Sequence, residues 1–325
     1  MVTIPLMNEQ FSGHELETGL LQRVRSWRDV FPLIGLVPAL RVCGSPLYMT
    51  LWLATTAVIT WPLPDAIESI VLNAVVNTHP LWFIAALLIA LLPATMTMRA
   101  GALYAAGRDD ESITANAKWV TARLVTLLFV LILPSVCVLG LSVPLAALGL
   151  IDRLPRFGEN VSELLSVFAL PLVILIGLVA AGSVIAVPIG WAAVSIEKRN
   201  DAFDALSRGY EYLYRRPVQT IVYLLVCGLL TVLISGITYC VASAGELVAS
   251  HVHSLVSGGK ALPTLMQRLL TLFPFAAALC TFFSTFGAMY LLLRSDANQQ
   301  EVEDVAVSAI DRRRNEMPTL KTGGT

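Results

Sequence analysis

Long apolar stretches alternate with shorter polar ones along this chain of 325 residues. Six stretches of at least 19 residues contain no Asp, Glu, Lys, Arg or His: 46–64, 80–98, 124–151, 164–196, 217–245 and 269–293. An α-helix rises about 1.5 Å per residue, so roughly 20 apolar residues cross the hydrocarbon core of a bilayer, which is about 30 Å thick. The pattern therefore predicts an all-α, polytopic membrane protein with six transmembrane helices.

The connections between these stretches repeat one arrangement three times. A cytoplasmic amphipathic stretch leads to a basic residue at the membrane edge, a span, a short external loop and a span back. We therefore predict three hairpins joined by amphipathic cytoplasmic connector helices. We divide the chain into a cytoplasmic or interfacial amphipathic N-terminal segment (1–45), a six-helix transmembrane domain (46–293) and a cytoplasmic C-terminal tail (294–325).

Composition and charge agree with this architecture and add an orientation. The chain is 56% hydrophobic and only 14% charged, with a mean hydropathy of +0.72, whereas soluble domains carry about 25% charged residues. Of the 22 Lys and Arg residues, 18 lie in the N-terminal segment, the second and fourth connections and the tail. Because basic residues accumulate on the cytoplasmic side, both termini are predicted to be cytoplasmic. These residues form no single basic patch, so we expect no nucleic-acid partner.

The fourth connection, Val194 to Pro217, has a recognisable order of residues. It reads "VSIEKRNDAFDALSRGYEYLYRRP", with an acid at the end of a span, a short helix, and basic and aromatic residues before the next span. The residues in these places are Glu197, Ala205, Leu206, Arg208 and Tyr210. These 24 residues resemble the connector of bacterial six-helix membrane proteins of the YciC and glycerophosphoryl-diester-phosphodiesterase membrane-domain type. The resemblance implies a multi-pass protein of the bacterial inner (cytoplasmic) membrane, and it supplies no catalytic residue.

Motifs that would indicate a reaction or a metal are missing from the sequence. It contains no His-Glu-x-x-His, no Gly-x-Ser-x-Gly, no phosphate-binding P-loop and no Cys-x-x-Cys. The spans also contain no ionisable side chain, which disfavours an ion or proton carrier because such proteins keep charge at membrane depth. We therefore predict no catalytic residue, no cofactor and no metal site.

Polar residues gather beside the membrane in the fourth connection. Glu197, Asp201, Arg208 and Tyr210 are the candidate site residues, on the hypothesis that they converge on a lipid headgroup at the cytoplasmic edge. An enzyme is our third choice. We favour a non-catalytic membrane-embedded accessory or scaffold component, and the alternative is a transporter or flippase-like carrier of a neutral or amphipathic molecule. A carrier needs a polar cavity near mid-membrane, whereas a scaffold needs a close-packed interior.

Two features bear on the partners of the chain. The predicted spans imply a lipid bilayer, and small residues in the fourth span are expected to allow close helix packing: Gly177, Ala181, Gly182 and Ala186. The tail carries a short apolar stripe that could dock a cytoplasmic protein: Val302, Val305, Ala306, Ala309 and Ile310. The sequence leaves the oligomeric state open.

Overall fold

A computed structural model describes residues 32–61, 80–108, 111–153, 158–198, 201–258 and 260–298 of the protein. The helices are a 3₁₀ segment (Pro32–Leu40), α1 (Arg41–Gly44), α2 (Pro46–Thr60), α3 (Pro80–Ala105), α4 (Ile113–Thr121), α5 (Leu124–Asp152), α6 (Gly158–Ile196), α7 (Ala202–Arg215), α8 (Pro217–Ser257) and α9 (Thr264–Asn298). No strand occurs in these ranges. The predicted all-α fold class is confirmed.

Within the described ranges, five helices are long and apolar enough to cross a membrane: α3, α5, α6, α8 and α9. α2 has only 15 residues, and about 20 are needed for one crossing. Together with Pro32–Gly44 it forms a helix pair bent by 75°, which makes a sixth span if the pair is counted as one. The protein is an integral membrane protein whose described residues supply five or six candidate spans, and its first predicted span depends on this bent pair.

Consecutive helices pack as hairpins around the last one. α2 packs against α3, α5 against α6, and α8 against α9. α9 is the centre of the bundle, because it also contacts the 3₁₀ segment, α2, α3 and α6. Half of the most apolar stretch of α9 is buried within the protein, compared with 17% of the corresponding stretch in α5 and in α8. The predicted three-hairpin arrangement is therefore present, with unequal packing of its members.

The two central helices, α3 and α9, touch through their backbones. A Cβ atom added at Gly101 would lie 2.0 Å from the carbonyl oxygen of Ser284, and one added at Gly287 would lie 1.9 Å from that of Met98. Only glycine permits this approach, as is common where membrane helices cross closely. The crossing of α3 and α9 is thus fixed by two glycines.

The short segment before α2 lies inside the bundle. Leu36, Ala39 and Val42 are fully buried, and the segment contacts both α3 and α9. This segment belongs to the predicted N-terminal region 1–45, whose first 31 residues lie outside the described part of the chain. The tail stripe at 302–310 also lies outside it.

Helix α7 runs antiparallel along the C-terminal half of α6. A Cβ atom on Gly190 would approach Ala205 at 3.4 Å, and one on Gly209 would meet the carbonyl oxygen of Ala186 at 2.4 Å. Further along, Gly182 faces the rings of two tyrosines of α7. The predicted packing role of Gly182 and Ala186 is confirmed, whereas a Cβ atom on Gly177 would meet nothing within 4 Å.

Candidate functional site

Charged side chains gather at one end of the bundle, where α3, α6 and α9 end and where α4 and α7 lie. We call this region the polar end and define it by Arg99, Glu111, Arg123, Glu197 and Arg208. Each of these side chains bonds to another helix or to the segment beside it. The polar end is therefore a connected set of contacts.

The most deeply buried contact of the polar end is an ion pair. The side chains of Arg99 and Glu111 are 0% and 3% exposed, and Nη2 of Arg99 donates to both carboxylate oxygens at 2.9 and 2.8 Å. Nη1 of Arg99 donates to the carbonyl oxygen of Ser195 at 2.8 Å. Charges are retained at such depth only when they are paired and hydrogen-bonded. The pair joins α3, the residues before α4, and the end of α6.

The C-terminus of α6 is capped by an arginine from another part of the chain. The last carbonyl groups of a helix have no partner within that helix. Arg123, which precedes α5, donates to the carbonyl oxygens of Val194 and Lys198 at 2.6 Å and also to that of Glu197. Burial, and then repulsion by Arg99, lowers the pKa of Arg123 to about 10. The guanidinium therefore still carries its charge at neutral pH.

Trp119 of α4 lies between two arginines. The guanidinium carbon of Arg99 is 4.3 Å from the ring centroid, and that of Arg123 is 4.0 Å from it. Cations are attracted to the face of an indole ring, and Trp gives the strongest such contact. The indole Nε1 also donates to the carbonyl oxygen of Ser195 at 2.8 Å. This ring lets two positive charges lie near each other at the end of α6.

A second ion pair joins α6, α7 and α9. Nη1 of Arg208 lies 2.6 Å from both carboxylate oxygens of Glu197, and Nη2 lies 2.8 Å from Asp204. The hydroxyl of Tyr290 on α9 also donates to Glu197. Burial alone would lower the pKa of Arg208, but attraction to Glu197 and Asp204, with help from Tyr290, raises it above its ordinary value. Arg208 is thus a permanently charged link between helices.

Two of the four candidate residues from the sequence bond to each other, and the other two have different partners. Glu197 and Arg208 bond to each other. Asp201 is the N-cap of α7 and accepts a hydrogen bond of 2.8 Å from a backbone N–H in the first turn. Tyr210 donates to the carbonyl oxygen of Val179 at 2.9 Å, and burial raises the pKa of its hydroxyl. The hypothesis that all four act on a headgroup stays a prediction.

A large apolar cleft lies between α5, α6 and α7. It has a volume of about 740 Å³ and is lined by Cys137, Gly140, Leu141, Leu175, Leu178, Val179, Tyr210 and Tyr214. The hydroxyls of Tyr210 and Tyr214 donate to the carbonyl oxygens of Val179 and Leu178 at 2.9 and 2.6 Å. Because these hydroxyls are already bonded, the apolar cleft offers a ligand mainly hydrocarbon surface.

A smaller polar cavity lies at the polar end. It has a volume of about 210 Å³, and its polar lining comes from α2, α3, α4 and the residues beside these helices: Ser45, Tyr48, Tyr104, Arg108, Glu111 and Asn116. Asn116 donates through Nδ2 to the hydroxyl of Tyr48 at 2.7 Å and to the carbonyl oxygen of Met96 at 2.9 Å. Sequence reasoning did not single out these residues, because they come from separate elements.

The described residues contain no group of three or more His, Cys, Asp or Glu side chains that could hold a metal ion. No protein-family model, no curated protein and no solved structure matches the chain. The resemblance of residues 194–217 to the YciC-type connector therefore stays a prediction.

Proposed function

We propose that this chain is a non-catalytic, membrane-embedded accessory or scaffold component. The observation that carries the proposal is that the charged groups of the polar end bond to other parts of the same chain. Glu197 and Arg208 bond to each other, and Arg99 and Arg123 bond to the end of α6. Side chains engaged in this way hold helices together. These internal bonds support a structural role for the same residues that an enzyme would need at the membrane edge.

A second region offers a surface for another molecule. We define the α5–α6 arm as residues 131–151 of α5 and 165–184 of α6, since Leu127 and Val130 of α5 and residues 185–196 of α6 are largely buried in the bundle. Many apolar side chains of the arm are exposed, among them Leu139 (68%), Val143 (65%) and Phe168 (75%). In a bilayer, lipid chains or the helix of a partner protein cover such surfaces. This two-helix arm supports the scaffold role, because it is well suited to pack against a further membrane helix.

The apolar cleft favours one alternative, a carrier of a lipid-like molecule. Its volume of about 740 Å³ lies within the range of about 300–1,000 Å³ that is usual for small-molecule sites. The lining suits a hydrocarbon chain and offers little to a polar solute. If the chain is a carrier, its cargo is therefore amphipathic, with the apolar part in the cleft.

We also propose that the polar end faces the cytoplasm of a bacterium, with the chain in the inner membrane and both termini cytoplasmic. The proposal is supported by the basic residues of the polar end and by the positive-inside tendency of short connections. Reporter fusions after Lys260, between α8 and α9, and after Asn298, at the end of α9, test it. A cytoplasmic signal at residue 298 and an external one at 260 are expected, and the reverse would reject the orientation.

The main test is purification of the tagged chain from native membranes in mild detergent, followed by mass spectrometry of bound proteins and lipids. The matched control ends at Asn298, because α9 extends to this residue and Asp296 accepts a hydrogen bond of 2.8 Å from Tyr223. A stoichiometric protein partner of the full chain supports the scaffold role, and its loss in the control assigns the contact to residues 299–325. A specific lipid without a protein partner supports the carrier.

A pair of glycine variants separates these outcomes further. Gly140 and Gly149 both lie on α5, and at both positions a Cβ atom would meet nothing within 4 Å. Only Gly140 lines the apolar cleft. Gly140→Phe should expel a lipid that occupies the cleft, whereas Gly149→Phe should leave it bound. Equal lipid retention in both variants would reject the carrier.

A further inference from the structure

The polar cavity contains a buried acceptor that the protein does not use. Asn116 is 1% exposed and lines the cavity. Its oxygen, Oδ1, has no hydrogen-bond partner among the described residues. Buried polar atoms are nearly always hydrogen-bonded, because burial removes their contacts with water. An acceptor left over beside a cavity indicates that a water molecule or a ligand in the cavity donates to it.

The orientation of the Asn116 amide is fixed by its neighbours. The carbonyl oxygen of Met96, 2.9 Å away, can only accept, so the atom facing it must be the NH₂ group. The second hydrogen of this group goes to the hydroxyl of Tyr48 at 2.7 Å. Rotating the amide by 180° would place two acceptors against each other at Met96. The oxygen is therefore the atom that remains for a ligand.

The rest of the lining decides which ligand chemistry fits. Because the Tyr48 hydroxyl accepts from Asn116, its own proton is available to the cavity, and Tyr104 lines the same space. The Arg99–Glu111 pair is neutral as a whole, and the guanidinium of Arg108 in the lining opposes a cation. An anion that carries no hydrogen cannot donate to Oδ1 of Asn116. A neutral group that can both donate and accept matches this set, and a hydroxyl does both.

We propose that the polar cavity is a binding site for a small neutral hydroxyl-bearing group. One hydroxyl donates to Oδ1 of Asn116 and accepts from Tyr48, and a neighbouring carbon contacts Leu103 or Ile113 in the wall. The volume of about 210 Å³ corresponds to roughly seven water-sized groups of about 30 Å³ each. A free polyol or the hydroxylated headgroup of a lipid supplies this chemistry. The site goes beyond the proposed accessory role and does not depend on it.

The test is photolabelling of the purified full chain with a diazirine-bearing butanol, with peptide mapping of the adducts. Adducts are expected on Tyr48, Tyr104 or Glu111. Three competitors are compared: glycerol, phosphatidylglycerol and phosphatidylmethanol, the last two sharing one negative charge and differing in headgroup hydroxyls. Competition by glycerol alone assigns the site to a free polyol, and competition by phosphatidylglycerol as well assigns it to a lipid headgroup. Any of three results would overturn the proposal. They are the absence of cavity adducts, the failure of both glycerol and phosphatidylglycerol to compete, and competition by phosphatidylmethanol as strong as that by phosphatidylglycerol.

Two variants link the labelling to named atoms. Asn116→Leu removes the acceptor at similar volume, and cavity adducts should fall about fivefold, the effect of one hydrogen bond. This variant also loses the bonds to Tyr48 and Met96, so Tyr104→Phe serves as a second variant with Asn116 intact. It should weaken competition by glycerol. Tyr239→Phe, at a 64% exposed tyrosine of α8, is the matched control and should change nothing. Unchanged labelling and competition in both cavity variants would also overturn the proposal.

Discussion

The two ends of helix α5 have similar residues and different surroundings. Near the polar end, Leu127 and Val130 are fully buried, whereas Leu139 and Val143 are 68% and 65% exposed further along the same helix. Both halves are apolar enough for the membrane. The difference shows that apolar composition places a helix in the bilayer, whereas burial inside the protein requires a specific neighbour.

The contacts that stabilise the polar end and the α5–α6 arm also differ in kind. Water is absent from the hydrocarbon core, so apolar surface alone gives membrane helices little reason to associate. The polar end instead uses ion pairs, a capped helix end and glycine crossings. The α5–α6 arm relies on packing between its own two helices and on Tyr210 and Tyr214 of α7. We therefore expect substitutions at the polar end to affect folding strongly, and substitutions on the arm to affect mainly what binds there.

The largest effect is expected from breaking the buried ion pair. Glu111→Ala leaves the charge of Arg99 in a site where its side chain is 0% exposed. Removing one member of a buried pair typically lowers the free energy of unfolding by about 3–5 kcal/mol. Thermal unfolding of the purified protein in detergent measures the loss.

The control for this variant is an exposed ion pair on α7. Arg215 and Glu211 form a contact of 2.7 Å with side chains that are 71% and 43% exposed. Glu211→Ala should change stability by less than about 1 kcal/mol. Similar losses in the two variants would mean that burial does not distinguish the polar end from the rest of the surface.

The next effect is expected at the crossing of α3 and α9. In Gly287→Ala the new methyl group would lie 1.9 Å from the carbonyl oxygen of Met98, so the two helices must separate. Overpacking of this kind costs about 1–3 kcal/mol. Gly236→Ala on α8 is the control, because a Cβ atom there meets nothing within 4 Å and alanine favours a helix over glycine. Opposite signs of the two stability changes are expected.

The helices could largely be predicted from the sequence because hydropathy reports directly on membrane crossing. The charge-free stretch 124–151 corresponds to Leu124–Asp152, and 164–196 to the greater part of Gly158–Ile196. The stretch 217–245 misses the end of α8 at Ser257, because a helix continues into polar residues once its backbone bonds are formed. α2 ends at Thr60, earlier than the stretch 46–64, and the bend before it has no hydropathy signal.

The site was less predictable because its residues come from separate elements. Glu197 and Arg208 lie 11 positions apart, in one connection, and their proximity follows from its short length. Tyr48 and Asn116 lie 68 positions apart, and only the packing of α2, α3 and α4 brings them together. The sequence did contain one indication of this cavity. Asn116 lies three positions after Ile113 on α4, so it is a polar residue on the face that meets the bundle.

A smaller effect is expected at the second ion pair of the polar end. Glu197→Gln keeps the shape of the side chain and removes its charge, which weakens the bonds from Arg208 and Tyr290. The pair is partly exposed, at 26% and 12%, so water offsets part of the loss and about 1 kcal/mol is expected. Asp204→Asn, at the more exposed acid beside Arg208, should change stability by only a few tenths of a kcal/mol. A larger loss for Asp204→Asn would contradict this order.

The smallest effect on the isolated protein is expected on the arm. Leu139→Ala truncates a 68% exposed side chain and should change stability by less than about 0.5 kcal/mol in detergent, whereas Leu127→Ala opens a cavity and should cost about 2 kcal/mol or more. The stability of the same two variants should then be measured in native membranes. If a partner helix covers the arm there, Leu139→Ala becomes destabilising in the membrane alone, because its contacts exist only with the partner. If lipid covers it, Leu139→Ala stays near zero in both environments. The comparison therefore determines whether the exposed half of α5 lacks a neighbour or has one in the membrane.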